Sequence, residues 1–346
     1  MIAIQNSMES IAAEKVAGGK LVRVKVNYDD VINDIKIYGD FFLHPEDTIE
    51  DIEKSLVGLK SDSDEKTITG IISEVVDVKG IQMLGVTPEA VARVVKKAMV
   101  KWRVIPLHVT DAFTAMAIDE AVSEFVANST QPTIRFWRWQ PSAVSVGYFQ
   151  SINDEVNLDA CKEMSVDVVR RRTGGGAVYH DYQGEITYSV IAPEWMFPKG
   201  IHESYNLICG WIINGLKNLG IEAQFVPIND VVVNGKKISG NAQTRRNSVL
   251  LQHGTILYDL DVRKMFSLLK VSQEKISDKM IKAVEERVTR LSNFGNFSMD
   301  ECYQALLKGF TDGKAWEFGK LTGQEINHVE ELARNRYRTQ EWNFKR

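Results

Sequence analysis

One run constrains this chain more than any other: Val168-Val169-Arg170-Arg171-Arg172-Thr173-Gly174-Gly175-Gly176-Ala177-Val178-Tyr179-His180-Asp181. Three consecutive glycines after a strand-like pair allow positive φ angles and leave the backbone bare, so a ligand can approach it closely. Residues 166–194 therefore read as a strand, a glycine turn, a second strand or short helix, and a third strand. Arginines beside exposed backbone N–H groups suit an anion such as phosphate or carboxylate. Neither GxGxxG nor GxxxxGK[ST] occurs, so the turn is neither a dinucleotide fingerprint nor a Walker loop. A tight turn with solvated arginines is the bland alternative. The Arg-Arg and His-Asp pairs within twelve residues favour a functional site.

A second segment, Asn229 to Gln243, contains Asn234-Gly235, a strong hairpin signal. Lys236 and Lys237 follow on a predicted strand, so their side chains face opposite ways. Lys237 is in phase with Ser239 and Asn241, and an inward lysine needs an anionic partner. A third segment, Gln252-His253-Gly254-Thr255-Ile256, places a histidine in a strand, where a structural role is the commoner one.

The rest of the chain sets the frame. Of 346 residues, 44% are apolar and 25% charged, which excludes intrinsic disorder and predicts two to three domains. The net charge of −4 argues against a general nucleic-acid binder. Residues 1–100 carry 12 basic and 17 acidic side chains and the remainder 30 and 29, which marks a boundary near residue 100. Cys161, Cys209 and Cys302 are far apart and odd in number, so a reducing cytoplasm is expected and a disulfide framework is not. No CxxC or HxxxH pattern supports a structural metal. The N-terminal stretch does not read as a secretory signal, and no apolar run is long enough to span a membrane.

Residues 1–99 read as a small α+β unit. Leu21 to Val26 forms a half-buried strand after Gly18-Gly19, Val31 to Leu43 supplies two more, and helices begin near Asp47 or Thr48 and at Thr87-Pro88. Residues 61–66 are a polar loop, and residues 100–109 a linker. From 110 to 346 an amphipathic helix (111–127), strands at 133–139 and 143–149, a helix at 204–221, a β-rich block at 228–261 and helices over 262–290, 298–312 and 322–338 predict α+β architecture. The sheet is expected to be mixed or antiparallel and flanked by helices.

VVRRRTGGGAVYHD resembles the RRx[ST]GGGxVxHD signature of lipoate–protein ligases, and VNGKKISGNAQ followed by QHGTIL resembles their lysine motif. The likeness extends over residues 110–346, the catalytic region of a biotin/lipoate ligase-like fold. Residues 20–99 resemble the family's small accessory domain, which here precedes the catalytic region. The resemblance implies a two-step reaction: lipoate and ATP, with Mg2+, give lipoyl-AMP, and the acyl group then passes to a lysine. The acceptors it implies are lipoyl domains of 2-oxoacid dehydrogenase complexes or the glycine-cleavage H protein. It makes Lys237 catalytic, at the α-phosphate. It assigns Arg171, Gly174, Gly175, Gly176, Ala177, Val178, Tyr179 and Asp230 to ATP or substrate, with Arg170, His180 and His253 as further candidates. Trp137 and Val144 are candidates for an apolar slot for the acyl tail. A metal site is not assigned.

Two departures qualify this likeness. Many ligases continue HD as HDxGN, whereas here Glu185 stands in the asparagine's place, one residue later. That variant also resembles octanoyltransferases of the same fold, which use no ATP and take octanoate from acyl carrier protein through a cysteine thioester. Their cysteine precedes the lysine motif, where this chain reads Phe225-Val226-Pro227-Ile228-Asn229. The ligase is the leading expectation, and an octanoyl or lipoyl transferase with an acyl-carrier or acyl-protein donor is the alternative.

Overall fold

The computed structural model describes residues 8–16, 20–129, 131–270, 282 and 286–346. The chain forms two compact units: Met1–Trp102 with Thr311–Glu317, and Arg103–Phe310 with Phe318–Arg346. Gly18-Gly19 lies outside the described residues.

In the first unit, strands β1 (Met8–Lys15), β2 (Leu21–Tyr28) and β3 (Ile32–Gly39) make an antiparallel sheet in that order. Val22, Val24 and Val26 point to one face and are fully buried, while Arg23 and Lys25 point out, the period-2 pattern of a half-covered sheet. Helices α1 (Ile49–Leu56), α2 (Glu65–Lys79) and α3 (Pro88–Met99) cover that face, with Ile52, Ile68, Ile72 and Val91 joining the valines in one core. A two-stranded ladder, β4 (Phe42–His44) with β5 (Gln82–Leu84), completes the unit. The signature at Thr87-Pro88 is realised: the Thr87 side chain accepts the Ala90 N–H and Pro88 occupies the first turn. Thr48 instead turns its hydroxyl to the carbonyl of Pro45 and caps nothing. α2 was not anticipated. Its β-branched sequence hides the helical spacing of Ile68 and Ile72, but Asp64 accepts the Thr67 N–H at 2.7 Å and Gly80, at φ 63°, ends it.

In the second unit, the expected linker proves to be a strand, β6 (Trp102–Thr110). It pairs in parallel with β7 (Thr133–Trp139) across the intervening helix α4 (Ala112–Ser129). Pro106 made the segment look like a connector. It sits where the register shifts between Ile105 and His108, an irregularity that removes the need for its missing N–H. α4 is buried nearly all round rather than amphipathic, and even Asp119 and Glu120 lie inside, paired with Arg135 and Arg172.

The large sheet continues through β11 (Glu185–Pro193), β12 (Gln224–Val226), β13 (Asp230–Val233), β14 (Lys236–Arg246) and β15 (Val249–Leu257). Seven strands of this eight-stranded sheet run in the order β12-β13-β14-β15-β11-β7-β6, and the short strand Trp316–Phe318 follows β6. Among these seven, β6 with β7 is parallel and the other pairings are antiparallel, so the sheet is mixed, as expected. Asn234 and Gly235, at φ 51° and 75°, make the predicted hairpin turn. Helices α5 (Ile201–Lys217), α6 (Val262–Leu268), α7 (Met299–Thr311) and α8 (Gly323–Leu332) follow in the same unit, and α6 packs with Val144, Val146 and Tyr179. Of the helix expected over 262–290, α6 and residue 282 are helical, 271–281 and 283–285 lie outside the described residues, and 286–290 is not helical. A second sheet of three short strands, in the order β10 (Val178–His180), β8 (Ala143–Val146), β9 (Asp167–Arg170), carries the glycine turn between β9 and β10. No helix among the described residues is long and apolar enough to cross a membrane.

Candidate active site

The glycine turn, β8, β14 and β15 enclose a cavity of about 350 Å³, within the size range of small-molecule sites. Its lining has a polar set, Ser145, His180, Lys237, Asn241, His253 and Thr255, and an apolar set, Trp137, Val178, Leu257, Met265, Leu269 and Val288. Of the residues singled out in the sequence, Arg171, Gly175, Gly176, Ala177, Val178, Tyr179, His180, Lys237 and His253 line it. Arg170, Gly174 and Asp230 do not line it. Trp137 lines the cavity but Val144 does not, because it faces the opposite side of β8 from Ser145 and packs among Val146, Ile152 and Val156.

Close backbone approach shapes the turn. Gly175 adopts φ 97°, and a Cβ on Gly147 would lie 2.0 Å from the Gly175 carbonyl oxygen. Only glycine at 147 lets the end of β8 touch the turn.

The arginines beside the turn are internal braces. Arg170 is fully buried and donates to the carbonyls of Gly147, Gln150 and Asn343. Arg171 donates from Nε to Thr173 Oγ1, from Nη1 to the Ser145 carbonyl and Oγ, and from Nη2 to the carbonyls of Gly174 and Gly176. All five of its N–H groups are engaged. Burial brings its guanidinium down to about 10, so it remains a cation at neutral pH. Arg172 pairs with Glu120 at 2.5 Å. These contacts stiffen the turn and spend every Arg171 donor on the protein itself.

Lys237 reaches the cavity through a β-irregularity. Val231 pairs with Ser239 but Val232 with Lys237, so Ile238 has no partner and strict alternation is broken there. The backbone of Lys237 is pinned from the other side, its N–H donating to the Arg287 carbonyl and its carbonyl accepting from Thr289 N–H, both at 2.8 Å. Its ammonium lies 2.7 Å from Asp230 Oδ1. That oxygen is buried and outside hydrogen-bond alignment, so the pair is an ion contact and the ammonium keeps donors for a third group. Behind it, Asn241 is held by Tyr188 Oη at 2.7 Å and by the Asn229 carbonyl at 2.8 Å.

Two buried histidine networks complete the wall. His253 lies between Asp119 Oδ2 (3.1 Å) and Thr173 Oγ1 (2.7 Å). Burial lowers the His253 pKa. For Asp119 burial acts upward, but the hydrogen bond from His253 and the charge of Arg135 outweigh it and hold the carboxyl below its ordinary range. His180 lies between Ser145 Oγ (2.8 Å) and Glu185 Oε1 (2.7 Å) and stacks on Trp139 at 4.1 Å. Ser145 and Asp119 carry no sequence signal, and Glu185 was visible only as a departure from a motif.

All three cysteines are buried, and burial pushes their thiols up to about 11 at Cys161, 12 at Cys209 and 11 at Cys302. None lines the cavity, and none is a ready thiolate.

Comparison with known proteins yields two family matches. Residues 111–311 match the lipoyl protein ligase A/B catalytic domain, and residues 10–94 match the bacterial lipoate protein ligase C-terminus. The chain is 36% identical over 278 residues to octanoyltransferase LipM of Brevibacillus brevis, covering 72% of this chain and 100% of that protein. It is 35% identical over 275 residues to octanoyltransferase LipM of Staphylococcus aureus, covering 71% and 99%. Among solved structures, a bi-partite lipoate protein ligase of Thermoplasma acidophilum superposes with a TM-score of 0.65 at 33% identity, covering 71% of this chain and 96% of that one.

These relatives correct the leading expectation. The relatives at 36% and 35% identity over nearly their whole length are octanoyltransferases LipM, so the ATP-dependent ligase with an acyl-adenylate is withdrawn, and ATP and Mg2+ with it. In this structure the Arg171 donors expected at the nucleotide hold the turn, and Asp230 faces Lys237.

Proposed function

The chain belongs to the lipoyl protein ligase A/B catalytic family, and from that premise we propose that it is an acyltransferase of protein lipoylation. It moves an octanoyl group, without ATP, from a thioester donor such as octanoyl-acyl carrier protein to a lysine on an acceptor lipoyl domain. The observation that carries this reading is the cavity itself: an apolar part of its lining suited to a saturated acyl tail, beside the Lys237 ammonium with donors to spare.

The charge chemistry follows. Attack on a thioester carbonyl turns its oxygen into an oxyanion. A fixed cation beside that oxygen stabilises the transition state more than the neutral ground state. Lys237 supplies this cation, and Asp230 orients it. The arginine-braced turn holds its backbone N–H groups in place around the same carbonyl without reorganisation. His253 and Asp119 support the turn from below through Thr173.

The test is an incubation of the protein with octanoyl-acyl carrier protein and a lipoyl domain, free of ATP, read by intact mass of the acceptor. Octanoylation of the acceptor lysine is expected. An acceptor modified only when a free acid and ATP are supplied would overturn the reading.

A further inference from the structure

Acyl transfer through a covalent enzyme intermediate needs a nucleophile, and the cysteines are all buried away from the cavity with raised thiol pKa values. A different nucleophile stands in the wall. Ser145 Oγ is 2.8 Å from His180 Nε2, and His180 Nδ1 is 2.7 Å from Glu185 Oε1. Ser145 and His180 both line the cavity. On this arrangement, and resting on the acyltransferase reading above, we infer that Ser145, His180 and Glu185 form an acyl-transfer triad with Ser145 Oγ as the nucleophile.

Each member is fixed by its surroundings. Glu185 Oε1 accepts from Thr187 Oγ1 at 2.8 Å, and Thr187 Oγ1 in turn accepts from Trp139 Nε1 at 2.6 Å. Glu185 Oε2 is buried and meets no donor among the described residues, so its charge is directed to the imidazole. With that carboxylate on Nδ1–H, Nε2 carries the lone pair that faces the serine hydroxyl. Trp139 stacks under the ring and fixes its plane. Arg171 Nη1 donates to Ser145 Oγ at 3.1 Å, so a cation favours the alkoxide as it forms. The other hydroxyl–histidine–carboxylate set, Thr173–His253–Asp119, has the same order of contacts, but Thr173 is fully buried and does not line the cavity, so it braces the turn only.

The steps balance. Ser145 Oγ attacks the thioester carbonyl as its proton passes to His180 Nε2. The carbon–sulfur bond breaks, and the leaving thiolate takes that proton from His180 to depart as a thiol. The acceptor lysine amine then attacks the octanoyl–serine ester, giving a proton to His180. The ester C–O bond breaks and Ser145 recovers the proton, leaving an amide on the acceptor. Glu185 acts through His180 and is a positioning residue.

The experiment mixes the full chain with octanoyl-acyl carrier protein, first without and then with a lipoyl domain, and follows both proteins by mass. An octanoyl adduct on the peptide bearing Ser145 is expected, formed without the acceptor and discharged by it. Ser145→Ala should lose the adduct and reduce transfer on the order of 10³-fold or more. Ser145→Cys should keep the adduct, now as a thioester cleaved by neutral hydroxylamine, which separates lost chemistry from lost folding. Glu185→Gln should shift the pH–rate profile as well as lower the rate. Wild-type rates in Ser145→Ala, or an adduct on a cysteine, would overturn the triad while leaving the acyltransferase reading intact. An adduct on Ser145 that no lipoyl domain discharges would keep the triad and overturn the proposed acceptor. Neither adduct nor transfer in the wild-type chain would overturn both.

Discussion

The side chain of Lys237 lies across the bare Cα of Gly240: a methyl group on residue 240 would stand 2.7 Å from Lys237 Cε and 2.8 Å from Nζ. Gly240 thus sets where the ammonium can rest beside Asp230. Gly240→Ala should push the ammonium off its position and lower kcat for octanoyl transfer by about 10-fold or more, since a misplaced catalytic charge loses its advantage quickly. The fold should hold within about 1 kcal/mol, because the displaced atoms are the end of a flexible chain. Steady-state kinetics beside a thermal melt distinguish the two effects.

Lys237→Ala removes the cation from the cavity lining. Loss of about 10²–10³-fold in kcat is expected, the usual size for removing one oxyanion-stabilising donor. Lys237→Arg should not restore the rate, because a planar guanidinium is wider than the space over Gly240. Full activity in either variant would remove Lys237 from the chemistry.

Octanoyl transfer should resist thiol alkylation. Burial holds Cys161, Cys209 and Cys302 as thiols with pKa values of about 11, 12 and 11, so iodoacetamide at about neutral pH should leave the folded chain unmodified and active. Rapid inactivation with a label on Cys209 would contradict this.

Acid should destabilise the catalytic unit through its interior carboxylates. Glu325 forms a bidentate pair with Arg103 at 2.6 and 2.7 Å, almost fully buried. Burial acts to raise its pKa, but the hydrogen bonds from Arg103 and from the Thr322 backbone prevail and hold it below the ordinary value. A carboxyl depressed in the folded state contributes stability above its unfolded pKa, near 4.3, and loses it as pH falls through the folded value. Melting temperature should therefore fall steeply below about pH 4. Glu325→Gln should remove part of that slope while costing about 3–5 kcal/mol at neutral pH, because it leaves Arg103 buried and uncompensated.

The placement of the helix start at Thr87-Pro88, the Asn234-Gly235 hairpin and the glycine turn could be read directly, because caps, positive φ angles and alternation depend on residues within a few positions of each other. The same locality explains the errors. Pro106 disguised a strand whose irregularity depends on its neighbour β7, and the β-branched run of α2 concealed a helix held by tertiary cover.

What the sequence alone determined was an α+β chain with a bare, arginine-flanked turn and a lysine on a hairpin strand, both drawn from short-range rules. Which atoms those side chains meet was decided by the tertiary structure. Arg171 looks equally suited to a phosphate or a carbonyl until β8 brings Ser145 to its Nη1. Ser145 and His180 lie 35 residues apart, and Asp119 and His253 lie 134 apart. Hydrogen bonds are satisfied by whatever lies within about 3 Å, and only sheet register and helix packing bring such distant residues that close.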